Sequence, residues 1–178
     1  MNHFDAIIFS DYNKGIISKD LIKSILDETK GKNIIVTAGP KPENIGYFHG
    51  IDIVALNELE AGLATGITIE NGESLCSAGE SIIQDLSCKG VLITRGEHGM
   101  SIFIKNGEIH HVPSIASEVY DVSGAGDTVI SVLTLAHAAG ASIFDSAILS
   151  NHAAAVVVKK VGTAILTPAE LIASIKER

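Results

Sequence analysis

Short apolar runs alternate with amphipathic stretches along most of this chain, and that rhythm predicts its elements. Residues 4–9 (Phe-Asp-Ala-Ile-Ile-Phe) read as a buried strand, stopped by Ser10, Asp11 and the Asn13-Lys14-Gly15 turn signal. From about Ser18, Leu21, Ile22, Ile25 and Leu26 fall on one helical face, and Gly31 closes the helix. A second strand is expected over 34–36, with a Gly39-Pro40-Lys41-Pro42 loop after it. A third, over 51–56, leads into Asn57 and a short helix to about Ala64. Residues 73–87 place Leu75, Ala78, Ile82, Ile83 and Leu86 on a helical stripe, and 91–94 is a strand apolar on both faces.

Strands of this kind, separated by helices, predict parallel β-α-β units with both sheet faces covered. The pattern then changes. Residues 101–105 and 108–112 flank Asn106-Gly107, a strong short hairpin signal. From Asp127 onward the pattern is helical: one helix to about Ala139, a second over 142–160, and a third capped by Thr167. In that third helix Pro168 takes the first helical position and Glu170 completes a capping box. No repeat, linker or low-complexity tract interrupts the series. The expected architecture is one α/β unit, a layered α/β/α sandwich with a mainly parallel sheet.

The chain has 178 residues, 46% of them apolar and 19% charged, with 13 basic against 21 acidic side chains. That composition excludes extensive disorder. The net charge of −8 argues against nucleic acid and anionic membrane surfaces as partners. It leaves phosphorylated small molecules open, because anion sites are made locally by backbone amides and a few cations. No apolar run reaches the ~18 residues of a membrane span. Met1 to Ser10 lacks the basic start and cleavage site of a leader. Cys76 and Cys88, twelve apart, form neither a zinc pattern nor a disulfide framework, so a reducing cytoplasm is expected.

Candidate chemistry lies in three places. Small residues at 123–126 (Ser-Gly-Ala-Gly) stand where a helix begins, leaving backbone N–H groups free to face an anion, with Asp127 in the first turn. A carboxylate beside such a hole suits phosphoryl transfer; a glycine-rich turn that merely lets a helix pack closely reads equally well. Asn57 and Glu60 share a helix face just past a strand's carboxyl end, where they could organise hydrated Mg²⁺ or act as an N-cap with a solvated acid. Thr94-Arg95-Gly96-Glu97-His98-Gly99 follows another strand and allows close backbone approach to a ligand, or is an ordinary turn. No Walker-type phosphate loop is present, and Gly124-Ala125-Gly126 lacks the third glycine of a dinucleotide fingerprint. His110 and His111, adjacent on a strand, face opposite ways and cannot easily share a metal. His98 and His152 read as structural or surface residues, and Lys159-Lys160 as complements to a helix dipole.

Taken in this order, the three motifs resemble the ribokinase-like (PfkB) carbohydrate kinases, and specifically the C-terminal part of that fold. The likeness runs from Ser10-Asp11-Tyr12-Asn13-Lys14-Gly15 to Gly162-Thr163-Ala164. Leu92 to Arg95, Glu118 to Asp121 and Asn151 to Ala154 extend it to the heptose 7-phosphate kinases of lipopolysaccharide core synthesis. The resemblance implies that residues 1–178 are the nucleotide-binding, base-bearing part of a carbohydrate kinase domain. The N-terminal portion, with its glycine-rich sugar site and β-lid, would be missing. Asp127 would be the base and Gly124, Ala125 and Gly126 the anion hole. Asn57 and Glu60 would organise Mg²⁺ indirectly, and Thr94, Gly96, Gly99 and Asn151 would line the nucleotide site. Lys41 stands where the family's Asp-Pro-Lys lysine falls, although Gly39 replaces its Asp. Asp11 and Lys14 would face the sugar. ATP and Mg²⁺ are the implied cofactors, with a monovalent cation as a further candidate. The implied partners are a sugar phosphate and either a second copy or the missing half. The alternatives are a non-catalytic nucleotide-binding fragment and a kinase of the same family with a nucleoside or another sugar as acceptor.

Overall fold

The computed structural model describes residues 4–177; Met1 to His3, part of the segment read for a leader, lie outside the described residues. The elements in order are β1 (Ala6–Ser10), α1 (Lys19–Thr29), β2 (Ile35–Gly39), a 3₁₀ turn (Pro42–Tyr47), β3 (Ile53–Asn57), α2 (Glu58–Thr65), α3 (Gly72–Leu86) and β4 (Gly90–Thr94). A second 3₁₀ turn (Gly96–His98), β5 (Met100–Ile104), β6 (Ile109–Val112), α4 (Ala125–Ala138), α5 (Ile143–Val157) and α6 (Pro168–Lys176) complete the series.

The six strands form one sheet in sequence order, β1 to β4 parallel and β5 and β6 antiparallel. Right-handed crossovers that advance in one direction put their connections on one face of a sheet. Accordingly, Phe9, Val36, Val54, Leu56, Val91 and Ile93 pack with α1, α2 and α3 side chains such as Ile22, Ala61 and Leu75. The opposite face is left for the C-terminal helices, where Ile53, Leu92 and Ile102 meet Val129 and Leu133 of α4 and Ala147 of α5. This is the layered α/β/α sandwich with a mainly parallel sheet that the pattern predicts. β1 is an edge strand: it pairs with β2 on one side, and Ile8, on the α4 face, stays 38% exposed.

Several boundaries differ from expectation for definable reasons. β2 runs on to Gly39 because Thr37, a polar break in the apolar run, is buried and shares a 2.6 Å hydroxyl hydrogen bond with Thr134 of α4. β1 reaches Ser10, the partner of Gly39, while Phe4 lies outside the strand and exposed. α5 ends at Val157 rather than near 160, since the Val158 carbonyl accepts the amides of Tyr120 and Asp121 (2.8 and 3.2 Å). Lys160 does not serve the helix dipole; it reaches the Ile165 carbonyl at 2.9 Å and Glu170 at 2.6 Å, tying α5 to the capping box of α6.

α3 approaches the sheet at Gly79, where an added Cβ would lie 2.5 Å from the Phe103 ring of β5. Gly79→Ala, despite its better helix propensity, is therefore expected to destabilise the chain by about 1–3 kcal/mol through overpacking. A lowered urea midpoint at unchanged slope would register it.

Candidate active site

The last residues of all four parallel strands, Ser10, Gly39, Asn57 and Thr94, line one cleft of about 220 Å³ at the carboxyl edge of the sheet. Ligand sites of open α/β sheets occur at this edge, because side chains and turns there are released from the ladder while the helices that follow begin there. A second, larger and more apolar cavity of about 730 Å³ opens beside it, between the turn after β4 and helices α4 and α5. The two are joined: Asn57, Thr94, Gly126 and Val129 line both.

The N-terminus of α4 stands at that junction. Gly124 is its N-cap with φ 79°, and a Cβ there would be both strained and 3.0 Å from Thr163 Cγ2. The Ala125 amide donates to the Val122 carbonyl at 3.1 Å. Ala125 is thus not a free donor as the motif suggested; the tight turn into the helix uses its N–H. The amides of Gly124, Gly126 and Asp127 have no acceptor among the described residues. Asp121 ties this turn in place, accepting from the Ser123 amide and from the Gly162 amide, both at 2.9 Å. Those backbone donors, Ser123 first, hold the Asp121 carboxyl below its ordinary value.

Asp127 faces the smaller cavity and is exposed. Both of its carboxylate oxygens hold a donor: Ser10 Oγ at 2.9 Å on Oδ1 and Tyr12 Oη at 2.5 Å on Oδ2. The hydrogen bond to Asp127 pushes the Tyr12 phenol above its ordinary value, against a smaller opposite effect from Ser10. Sequence reasoning missed both donors. It selected Asp11 and Lys14 from the same segment; Asp11 does line the smaller cavity, but it is buried and its carboxylate is engaged within the loop. There it accepts from the Asn13 amide at 2.8 Å, the Lys41 amide at 3.1 Å and Asn44 Nδ2 at 2.8 Å. Lys14 does not line either cavity. Ser10 could have been found from its place as the last residue of a strand at the ligand edge.

Asn57 and Glu60 form a reciprocal capping box at the start of α2: Asn57 Oδ1 accepts from the Glu60 amide at 2.8 Å, and Glu60 Oε2 from the Asn57 amide at 3.0 Å. Glu60 Oε1 meets Lys41 Nζ at 2.6 Å, and that hydrogen bond raises the lysine's pKa despite the cost of burial. Among the described residues no group of three His, Cys, Asp or Glu side chains is placed to hold a metal ion. With its oxygens already engaged, this pair fits a hydrated Mg²⁺ held through water, and not direct ligation.

In the larger cavity, Gly99 is fixed sterically: a Cβ would lie 2.1 Å from the Val112 carbonyl oxygen. Gly96 has φ 54°, and Thr94 Oγ1 points back to the Leu56 carbonyl at 3.5 Å. Asn151 is buried and donates to the Pro113 carbonyl at 2.8 Å, so its amide anchors the cavity's far wall. Three of the histidines take structural places: His111 meets Ser101 at 2.8 Å, His152 meets Ser174 at 3.0 Å, and His110 packs on Phe144. Cys76 and Cys88 are free thiols, and no helix among the described residues is long and apolar enough to cross a membrane.

A glycine-started helix that aims free amides and a carboxylate at the junction of two cavities can hold an anion beside a proton acceptor. The chain belongs to the pfkB family of carbohydrate kinases, whose family model matches residues 32–170. It is 40% identical over 174 residues to the bifunctional protein HldE of Geobacter sulfurreducens, covering 98% of this chain and 36% of that protein. It is 42% identical over 172 residues to HldE of Helicobacter hepaticus, covering 97% and 36%. The chain thus spans about a third of the length of these curated relatives. Two solved structures share the fold over 97% of this chain and 56% of theirs. Arabidopsis thaliana ribokinase with ribose and ATP has a TM-score of 0.84 at 22% identity. Escherichia coli phosphofructokinase-2 with potassium has a TM-score of 0.85 at 15% identity.

The Asp11 network yields a pH prediction. Burial pushes its carboxyl up, but hydrogen bonds from Asn44, Asn13 and Lys41 outweigh this and hold it below the ordinary 3.8. Asp11→Asn, which sets an NH₂ against at least one of these three donors, is expected to cost about 1–3 kcal/mol near neutral pH. A depressed carboxyl contributes fully above its unfolded pKa of 3.8 and loses that contribution as pH falls through the folded value. The melting temperatures of wild type and variant should therefore converge in acid.

Proposed function

We propose that the chain is the nucleotide-binding and base-bearing part of a kinase that transfers the γ-phosphoryl group of ATP to a hydroxyl of a sugar phosphate. Heptose 7-phosphate is the proposed acceptor, with O1 as its attacking oxygen, and the product would feed lipopolysaccharide core precursor synthesis. One observation carries this reading: a cavity of nucleotide size and a smaller polar cleft meet at the N-terminus of α4, with Asp127 on the cleft side. The HldE relatives support the heptose assignment over a nucleoside or another sugar.

In this reading the nucleotide occupies the larger cavity, its base toward the wall anchored by Asn151 and its phosphates running past Gly99, Gly96 and Thr94. The acceptor hydroxyl sits in the smaller cleft. Its oxygen forms a bond to the γ-phosphorus while the bond to the ADP oxygen breaks, and its proton passes to Asp127. The free amides of Gly124, Gly126 and Asp127 hold the transferring oxygens, where fixed dipoles stabilise developing charge most effectively. Mg²⁺ supplies charge neutralisation on the phosphates, and Asn57 and Glu60 would hold its waters. Lys41, kept charged by Glu60, faces the cleft as the cation for the transferring group or the acceptor's own phosphate. A monovalent cation, as in the phosphofructokinase-2 complex, would add to this set without an assigned residue. The acceptor's remaining contacts would come from a second copy or from the part of the relatives' length this chain does not span.

The test is a calorimetric titration with Mg-ATP, followed by ADP release in the presence of heptose 7-phosphate. Binding with sugar-dependent turnover supports the kinase reading. Binding without turnover supports a nucleotide-binding fragment instead. Asp127→Asn is expected to lower turnover by about 10²–10⁴-fold while nucleotide affinity stays within a few-fold. Gly126→Ala separates site from scaffold: its Cβ would meet nothing within 4 Å, so the melting temperature should hold. The same methyl would occupy the space in front of the amides and weaken Mg-ATP binding.

A further inference from the structure

The donors on Asp127 raise a question the transfer scheme leaves open. A base must offer a lone pair to the acceptor hydroxyl at roughly 2.6–3.2 Å, yet Oδ1 is held by Ser10 and Oδ2 by Tyr12. The two donors are not equivalent. Ser10 is the last residue of β1 and is fixed by the ladder to Gly39. Tyr12 lies past the strand on a turn whose next residue, Asn13, has φ 52°, and the side chain is 60% exposed. Its phenol donates to Asp127 and also interacts with the Ser10 hydroxyl, while buried Asp11 beside it holds the backbone of the turn. The phenol oxygen therefore stands where an acceptor hydroxyl must stand, on a side chain that can leave without disturbing the loop.

We infer that Tyr12 is a placeholder on the base: its phenol occupies Asp127 Oδ2 until an acceptor hydroxyl displaces it, and so keeps water from being the acceptor. In the reaction it suppresses, a water oxygen bonds to the γ-phosphorus, the bond to ADP breaks and the water's proton goes to Asp127. With a phenol donating to Oδ2, one lone pair of that oxygen is engaged and the space in front of it is filled, so a water meets a weaker and less accessible acceptor for that proton. Tyr12 acts through Asp127 and is a positioning residue. Its role rests on the kinase reading above, but the contact it depends on can be tested without any nucleotide.

Two measurements test it. Tyr12→Phe keeps the ring and removes the donor. Acceptor-independent ADP release from Mg-ATP should rise about tenfold, the change expected on freeing one charge-assisted hydrogen bond, with Mg-ATP affinity unchanged. A rate equal to or below that of the wild type overturns the proposal. The chain has three tyrosines and no tryptophan, so its emission reports the phenols directly. A phenol donating to a carboxylate is quenched. Asp127→Ala should therefore raise emission in the wild-type background and leave it unchanged in Tyr12→Phe. An equal change in both backgrounds, or none in either, removes the contact and overturns the proposal. Because this cycle needs no ligand, its failure is distinct from failure of the kinase reading, which would appear as absent Mg-ATP binding.

Discussion

The hydroxyl hydrogen bond between Thr37 and Thr134 sets the geometry on which the site depends. It joins β2 to α4 in the buried, otherwise mainly apolar layer between sheet and helix. Apolar packing alone tolerates sliding of a helix along its axis, whereas a 2.6 Å hydroxyl pair does not. Thr134 also bonds back to the Ile130 carbonyl at 2.6 Å, so the pair is anchored to the helix backbone. Thr134 lies two turns after Asp127, a rise of about 10 Å. Fixing that point on the helix therefore fixes where its first turn projects past the strand ends. Two residues further along β2 is Gly39, on the cleft wall. The carboxylate reaches the cleft because a pair of threonines locates the helix.

Around that junction most polar groups serve two purposes. Glu60 caps α2, receives the Lys41 ammonium and faces the cleft. Asp11 closes its own loop while receiving the amide of Lys41, which places that lysine. Asp121 links the turn before α4 to the loop at Gly162. Such sharing makes the cleft rigid in the absence of ligand, the condition for electrostatic stabilisation without reorganisation at the moment of transfer. The exception is Tyr12, whose ring is exposed and which is held through its phenol alone.

The fold was legible because its signals are local. Apolar strand runs, the helical stripe of α3, the Asn106-Gly107 hairpin and the Thr167 capping box each lie within a few residues, and each appears in the structure. Gly124, Gly126 and Asp127 were legible for the same reason, since a helix start and its free amides are written in consecutive positions. The Tyr12 and Ser10 contacts to Asp127 span more than a hundred residues, and no periodicity announces them. The Asn57–Glu60 pair could be placed on one face and Asn57 read as an N-cap, but neither Glu60's reciprocal bond nor its tie to Lys41 was visible. Ala125 was misread because a tight turn consumes its amide, a detail of backbone angle and not of residue type.

β1 carries hydrogen-bonding groups on two sides and uses one of them. The sheet is thus a ruled surface with two unfinished borders, and one of them is the strand that delivers Ser10, and the turn carrying Tyr12, to Asp127. The opposite border, β6, lies on the far side of the sheet. A parallel strand that continued the ladder at β1 would end beside the smaller cleft, and a helix packed behind it would cover Ile8. Whatever pairs with that edge would thereby also stand at the cleft wall, held there by the same row of backbone amides and carbonyls.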